Sequence, residues 1–335
     1  MTTNNNPITS SELGTLWIVY QKKTMMLRVI ESLLATNQDP EAKEMLQTFH
    51  TEEDMFVQEI SSILKQEGAA IPVGFTENDI NLDAPKLFND IFDIMYLRTM
   101  MKVATGLHAL HMSMVYRQDI MNLYKRFSSF AQDVCEKTTQ LLLQKGALPK
   151  SPPVNMPESA EFTKGKDYRS GFKLMGHRRS LNTVEVAYIY ETIESNVLGM
   201  KLMEGFAQAA EEKEAQKYFN QGKELSKKII SKFSETFLDS DINPSSSSAG
   251  LVTNSTTPPF SDKLMMYNTS LLTSFGFGSN ALGTSFSLRK DLSLKMLDIG
   301  KDMFNFASNG GDLMVKYGWT EEPPQMSDRS KLSKG

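Results

Sequence analysis

The chain has 335 residues, 40% hydrophobic and 23% charged, enough to bury a core in each of two domains of ordinary size. A formal net charge of -4, with Lys and Arg scattered along the whole length, leaves no electrostatic footprint for nucleic acid and speaks against such a partner. Cys135 is the only cysteine, which excludes an intrachain disulfide and a disulfide-stapled secreted module; it reads as a small helical residue rather than a reactive thiol.

Met1 to Ser10 is polar and uncharged, without the basic stretch and apolar run of a secretory signal, so a cytoplasmic location is expected. A first helix over about 11–36 places Leu13, Tyr20, Leu27 and Leu34 seven apart, the seam of a bundle. Asp39-Pro40-Glu41 supplies an N-cap, a proline at N1 and an early acid, so a second helix starts there and ends near Gly68. A long connection follows over Ala69 to Pro85. A third helix over about 86–115 and a fourth over about 117–145 carry Ile94, Leu97, Met101 and then Ile120, Phe127, Val134, Leu141, stopping at Gly146. Ser151 to Ser180, rich in Pro, Gly and basic residues, reads as a linker.

The plan then repeats. Arg117-Gln118-Asp119 reappears as Arg289-Lys290-Asp291, an offset of 172, and Phe88, Asp90 and Gly146 meet Phe260, Asp262 and Gly318 at the same offset. Earlier in each half the offset is 173, pairing Glu12 with Glu185, Glu31 with Glu204 and Glu41 with Glu214; one indel reconciles the two. The second long connection spans Asp239 to Pro259 and includes Ser245 to Ser248. Leu264 to Leu288 contains no charged residue, but its Ser, Thr, Asn and Gly content fits a buried bundle helix and not a membrane span. With no alternating strand pattern, the fold expected is all-α: two tandem ferritin-like four-helix bundles related by internal duplication. The domains are expected at 1–150 and 181–326, with a linker at 151–180 and a tail at 327–335. A connection of seventeen or so residues reaches ~55 Å when extended, so helices 2 and 3 of each bundle can run parallel.

Ile71-Pro72-Val73-Gly74-Phe75-Thr76, Leu87-Phe88-Asn89-Asp90, Pro259-Phe260-Ser261-Asp262-Lys263-Leu264-Met265 and Gly318-Trp319-Thr320-Glu321-Glu322-Pro323-Pro324 resemble the repeated motifs of a bacterial family of unknown function. That family is found chiefly in spore-forming bacilli, has duplicated ferritin-like bundles and is distantly similar to spore coat protein F. The resemblance covers nearly the whole chain and implies a fold, but no activity to carry over.

Ferritin-like di-iron proteins need carboxylates from two helices and a Glu-x-x-His pair from each of the other two. The residues three before His50, His108, His111 and His177 are Gln47, Thr105, His108 and Leu174, so no such pair exists. The residues left as candidates for a divergent divalent-metal site are Glu31, His50, Glu53, His108 and His111. Under the parallel topology they do not converge: Glu31 and His50 differ in depth by ~7 Å, His50 and His108 by about 18 Å. No cofactor is expected. His108 and His111 read as hydrogen-bonded interior histidines, and Glu31 and Glu204 as paired structural carboxylates on the seam.

Arg117, Asp119, Arg289 and Asp291 stand where the third helix of each half hands over to the fourth. Their presence in both halves favours a polar clamp on the turn over an anion site, with Asp90 and Asp262 as expected partners of the arginines. There is no Walker loop, dinucleotide loop or Gly-x-Ser-x-Gly elbow. The expectation is a non-catalytic structural or interaction module, spore-related, acting through a protein partner or self-association; the alternative is a metal-binding enzyme or storage protein with its site in the first bundle.

Overall fold

The structure is a computed structural model that describes residues 6–163, 165–170, 179–244 and 250–329. His177, Ser245 to Ser248, part of the linker and the end of the tail lie outside the described residues. The chain is all-α. Helices α1 (Ser10–Thr36) and α2 (Pro40–Gln66) form one hairpin and α3 (Asp90–Met112) and α4 (Gln118–Gln144) a second; α5 (Thr183–Ala209), α6 (Lys213–Leu238), α7 (Asp262–Phe286) and α8 (Lys290–Lys316) repeat the arrangement.

Local chemistry sets these limits. The side chains of Thr9 and Asn182 cap α1 and α5 in capping boxes with Glu12 and Glu185, and Asp39 caps α2 with Pro40 behind it. Helix α3 is shorter than its periodicity suggests at both ends. Asn89 accepts from the Phe92 N–H and starts it late, because Phe88 is held in an extended bridge, and the chain leaves the helix early to bring the N–H groups of Tyr116 and Arg117 to Glu12. Helices α2, α4 and α8 end on Gly68, Gly146 and Gly318 with positive φ. At the place matching Gly68, α6 ends on Asp241, the one described non-glycine residue with positive φ, a conformation Asp tolerates better than most.

Contacts at the helix ends fix the directions. Asn37 after α1 donates to Asp93 near the start of α3 at 2.8 Å, Arg117 before α4 pairs with Glu67 after α2, and Lys145 after α4 pairs with Asp39 before α2 at 2.5 Å. Hence α2 and α3 point the same way, and residues 67–89 cross the length of the bundle between them. The second crossover spans residues 239–261.

Helices α1, α3, α5 and α7 are buried on two sides, one against their own half and one against the other. A single core joins Met26, Ile30, Phe92 and Met100 to Leu202, Phe206, Leu264 and Met265 across the halves, while each half keeps a second cluster of its own at its far end. The narrow seven-residue seam expected for α1 is therefore too modest: Leu16, Val19, Met25, Met26 and Ile30 are buried, and Leu13, Tyr20 and Leu34 only half-buried.

The two crossovers strap the halves together symmetrically. Ile80 bridges Phe260 and Phe88 bridges Val252; the Asn81 N–H donates to Pro259 O and the Thr253 N–H to Leu87 O, each at 2.9 Å. Exchanging the halves at the offset of 172 turns each contact into its partner, the signature of an isologous, twofold-related interface within one chain. The ring of Phe88 rests on Gly205 of α5, and Phe260 lies beside Ser32, which holds the same place in α1. Gly74, at φ 65°, passes so close to Thr24 that a Cβ there would stand 2.4 Å from its hydroxyl oxygen.

Candidate functional site

The densest set of buried charge lies inside the first half. Lys23 of α1 donates to Glu53 of α2 at 2.8 Å, with both side chains almost fully buried. The ammonium stands 4.2 Å from the ring centre of Phe127 and 4.7 Å from that of Phe56, contacts that replace part of its lost hydration. Around the pair lie buried Lys22 on α1, His108 and His111 on α3, and Tyr124 on α4. The rings of His108 and Phe127 are 5.2 Å apart, those of His111 and Tyr124 5.7 Å.

This cluster is short of partners. Lys22 Nζ, both ring nitrogens of His108, Nδ1 of His111, the Tyr124 hydroxyl and one oxygen of Glu53 are buried without a hydrogen bond. Both histidines lie in the interior, and His108 packs against the Phe127 and Tyr124 rings of α4. Burial drives the Lys22 ammonium down to about 7, against the attraction of Glu53. Burial first, then Lys22 and Lys23, hold His108 well below its ordinary range; burial and Lys22 bring His111 to about 4. Near neutrality the site thus contains one ion pair, two neutral imidazoles and an amine divided between its charged and neutral forms. It does not fit a dinuclear carboxylate centre: the carboxylate of Glu53 is held by Lys23, and among the described residues no three of His, Cys, Asp or Glu are placed to hold a metal ion.

The second half lacks the cluster. Lys22, Lys23, Glu53, His108, His111 and Tyr124 correspond to Ser195, Asn196, Ser226, Asn280, Gly283 and Met296, and the neighbouring Met26, Phe49 and Phe56 to Gly199, Gly222 and Ile229. Every one of these replacements is smaller than its counterpart. A cavity of about 100 Å³ opens there, lined among others by Asn196, Gly199, Ser226 and Ile229.

The remaining metal candidates sit elsewhere. His50 Nε2 meets Glu31 Oε1 at 3.0 Å, and Arg28 meets the same oxygen at 2.6 Å, all at the half-exposed edge of the first hairpin. Long side chains close the depth gap that kept this pair apart on paper. Glu31 and Glu204 are therefore at the helix edge and not on the buried seam, Glu204 pairing with Lys201 at 3.0 Å.

At the turns, Arg117 forms a two-pronged pair with Asp119 at 3.2 and 2.7 Å and also binds Glu67. Arg289 forms the same pair with Asp291 at 3.1 and 2.7 Å and donates to the carbonyl of Arg179. The expected partners Asp90 and Asp262 serve the opposite end of each bundle instead: Asp90 accepts from the Gln38 N–H, and Asp262 from the N–H groups of Glu211 and Glu212. The fully buried Glu12 and Glu185 complete the set. Each closes a capping box and also accepts backbone N–H groups from the far turn, Tyr116 and Arg117 in one half and Arg289 in the other. Although burial raises it, this set of donors brings the Glu12 carboxyl below its usual range; Arg179 does the same for Glu185. The signal that could have found this role is the Thr-x-x-Glu and Asn-x-x-Glu spacing just ahead of an apolar run.

The model of the family described as "Protein of unknown function (DUF3231)" matches residues 1–159 and again residues 169–332. The chain belongs to this family and carries its unit twice. No curated protein matches the sequence. Among solved structures, the chain is similar to a "putative spore coat protein" from Bacillus halodurans, at 16% identity and a TM-score of 0.41, over 46% of this chain and 98% of that one. Among the described residues no helix is long and apolar enough to cross a membrane.

Proposed function

We propose that this chain is a non-catalytic structural or interaction module that acts through the outer faces of its bundles. The observation that supports this most is on α8. Leu294, Leu297 and Phe304 are 54%, 63% and 62% exposed, where the duplicate helix α4 carries Asn122, Lys125 and Gln132. Three large apolar side chains turned to solvent, on a helix whose copy is polar at the same places, mark a contact surface. The parallel α2 and α3 joined by a crossover favour placing both halves with the ferritin-like bundles. A cytoplasmic, spore-related setting belongs to the proposal on the strength of the family resemblance.

The competing reading is a divergent metal site around Glu53, His108 and His111. Metal analysis of protein purified without chelator separates the two. The expected result is metal well below one equivalent, unchanged by His108→Ala; stoichiometric iron, manganese or zinc that disappears in that variant would overturn the structural reading. On the same preparation, Leu297→Lys with Phe304→Gln is expected to keep the melting temperature and lose self-association or partner binding.

A further inference from the structure

We infer that two copies of the chain pair through the flank formed by α7 and α8, face to face about a twofold axis. The inference rests on the interaction-module reading and names its partner as a second copy. Leu297, Gly300 and Phe304 follow one another at three and four residues, one line along α8. That line is on the side of α8 turned toward α7. Ser293, four residues before Leu297, donates to the Thr284 carbonyl of α7, and a Cβ on Gly300 would stand 3.8 Å from the Phe277 ring; Asp298 and Asp302, on the other side, meet the lysines of α6. Phe277, Leu297 and Phe304 are all exposed, so α7 and α8 together present an apolar flank to solvent.

The duplicate flank, between α3 and α4, is polar. There Lys102, Thr105, Gln132 and Glu136 line one shallow hollow, and Ser274, Phe277, Phe304 and Ser308 stand in the matching places of the second half, with Leu297 matching Lys125. At these five places the first half has three charges and no large apolar side chain; the second has three large apolar side chains and no charge. Helix α7 carries no charged residue from Leu264 to its end, and Asp312, matching Gln140, is the one charged residue among those that correspond to the hollow.

Charge, size and number each point to a second copy as the occupant. A flank without net sign meets its own copy with no like-charge repulsion, whereas a membrane surface would call for Lys and Arg beside the apolar side chains, and α7 has none along this stretch. From Ser293 to Gly311 the stripe runs eighteen residues, ~27 Å, and two helices side by side are ~20 Å wide. That is ~540 Å² a side in projection and about 1,100 Å² for the pair, above the ~1,000 Å² that a specific interface needs. Only the second half carries such a flank. Each molecule therefore has one, an isologous contact uses it up, and the assembly closes as a dimer and does not extend into a string.

Three single variants test this in solution. Phe304→Lys places a charge on the α8 line and Phe277→Lys one on α7, while Met55→Lys changes an exposed apolar residue of α2, away from the flank. Circular dichroism melts first establish which variants fold; Phe304, the more exposed of the two phenylalanines, keeps the test open if Phe277→Lys does not. In sedimentation velocity across a concentration series, the native chain and Met55→Lys are expected to move from monomer to dimer and no further, and high salt to leave the dimer in place, since no charges hold it together. Phe304→Lys and Phe277→Lys are expected to lose the dimer. A native chain that is monomeric throughout, a ladder of larger species, a dimer that dissolves in salt or one that survives Phe304→Lys would each overturn the inference. None of these results touches the structural reading, which stands or falls on the metal content.

Discussion

Asn268 donates a hydrogen bond to the hydroxyl of Tyr96, and the two residues are each other's duplicates, 172 positions apart. Residues that meet their own copies lie on the pseudo-twofold axis. Here the Asn268 amide supplies the donor and the Tyr96 hydroxyl the acceptor. Asn268→Leu leaves the buried Tyr96 hydroxyl without its partner and is expected to cost about 1–3 kcal/mol. Adding Tyr96→Phe should recover much of that loss, a coupling readable from a double-mutant cycle by urea denaturation.

Gly205 and Gly199 lie on the same helix and should respond in opposite ways to alanine. A Cβ at Gly205 would stand 2.5 Å from the Phe88 ring, so Gly205→Ala forces the crossover off its seat and is expected to lower stability by about 1 kcal/mol or more. At Gly199 the nearest atom is the Ser226 hydroxyl at 3.7 Å, and Gly199→Ala is expected to raise stability by about 1 kcal/mol. Denaturant midpoints of opposite shift would establish the contrast.

Glu53→Gln removes the countercharge of a buried ammonium and is expected to destabilise by about 3–5 kcal/mol, whereas Lys22→Met removes a buried charge that has no hydrogen bond and should stabilise at neutral pH by about 1–4 kcal/mol. The pH dependence follows from the same residues. Lys22 titrates near 7 in the folded chain against 10.5 when unfolded. Between those values the unfolded state holds the extra proton, so stability rises with pH across that window, by at most about 4–5 kcal/mol. His111, at about 4 against 6.5, adds a second rise between those two values. In thermal melts across pH, Lys22→Met should flatten the alkaline rise and, by removing one of the two causes of the His111 shift, shrink the acid one without abolishing it.

The two clamps should prove unequal. Asp291 is buried with Arg289, so Asp291→Ala strands a guanidinium and is expected to cost about 3–5 kcal/mol. Asp119 is 44% exposed and Arg117 keeps Glu67, so Asp119→Ala is expected to cost about 1 kcal/mol. Calorimetry reads both losses. Equal losses, or saturable anion binding that disappears with either substitution, would make these residues a ligand site.

The duplication, the helix count and the crossovers were legible because they are local: the cap at Asp39, stops at Gly68, Gly146 and Gly318, and runs of Pro, Gly and Asn between them. The interface helices went unidentified in the sequence, although a signal of a different kind was present. A helix such as α2 has an evident polar side, while α1 and α3 carry apolar residues almost all the way round, as a helix covered on two faces must. Lys22 and Lys23 hid because a lysine in a helical stretch is read as solvated until a partner such as Glu53, thirty residues on, is placed against it. The cavity beside Gly199 was not legible from the second half alone, since only comparison with Met26 and Phe49 reveals how much smaller Gly199 and Gly222 are than their counterparts.

The paired crossovers also set an order of events during synthesis. Phe88 and Ile80 emerge well before Val252 and Phe260, the residues that cover them, exist. At ribosomal rates the 180 residues from Ile80 to Phe260 and the 164 from Phe88 to Val252 take roughly 10–35 s, during which the first half presents an apolar strap and a bare helix face to the cell. A nascent chain of this design competes, for that interval, between waiting for its own second half and pairing with the same unit on a neighbouring chain.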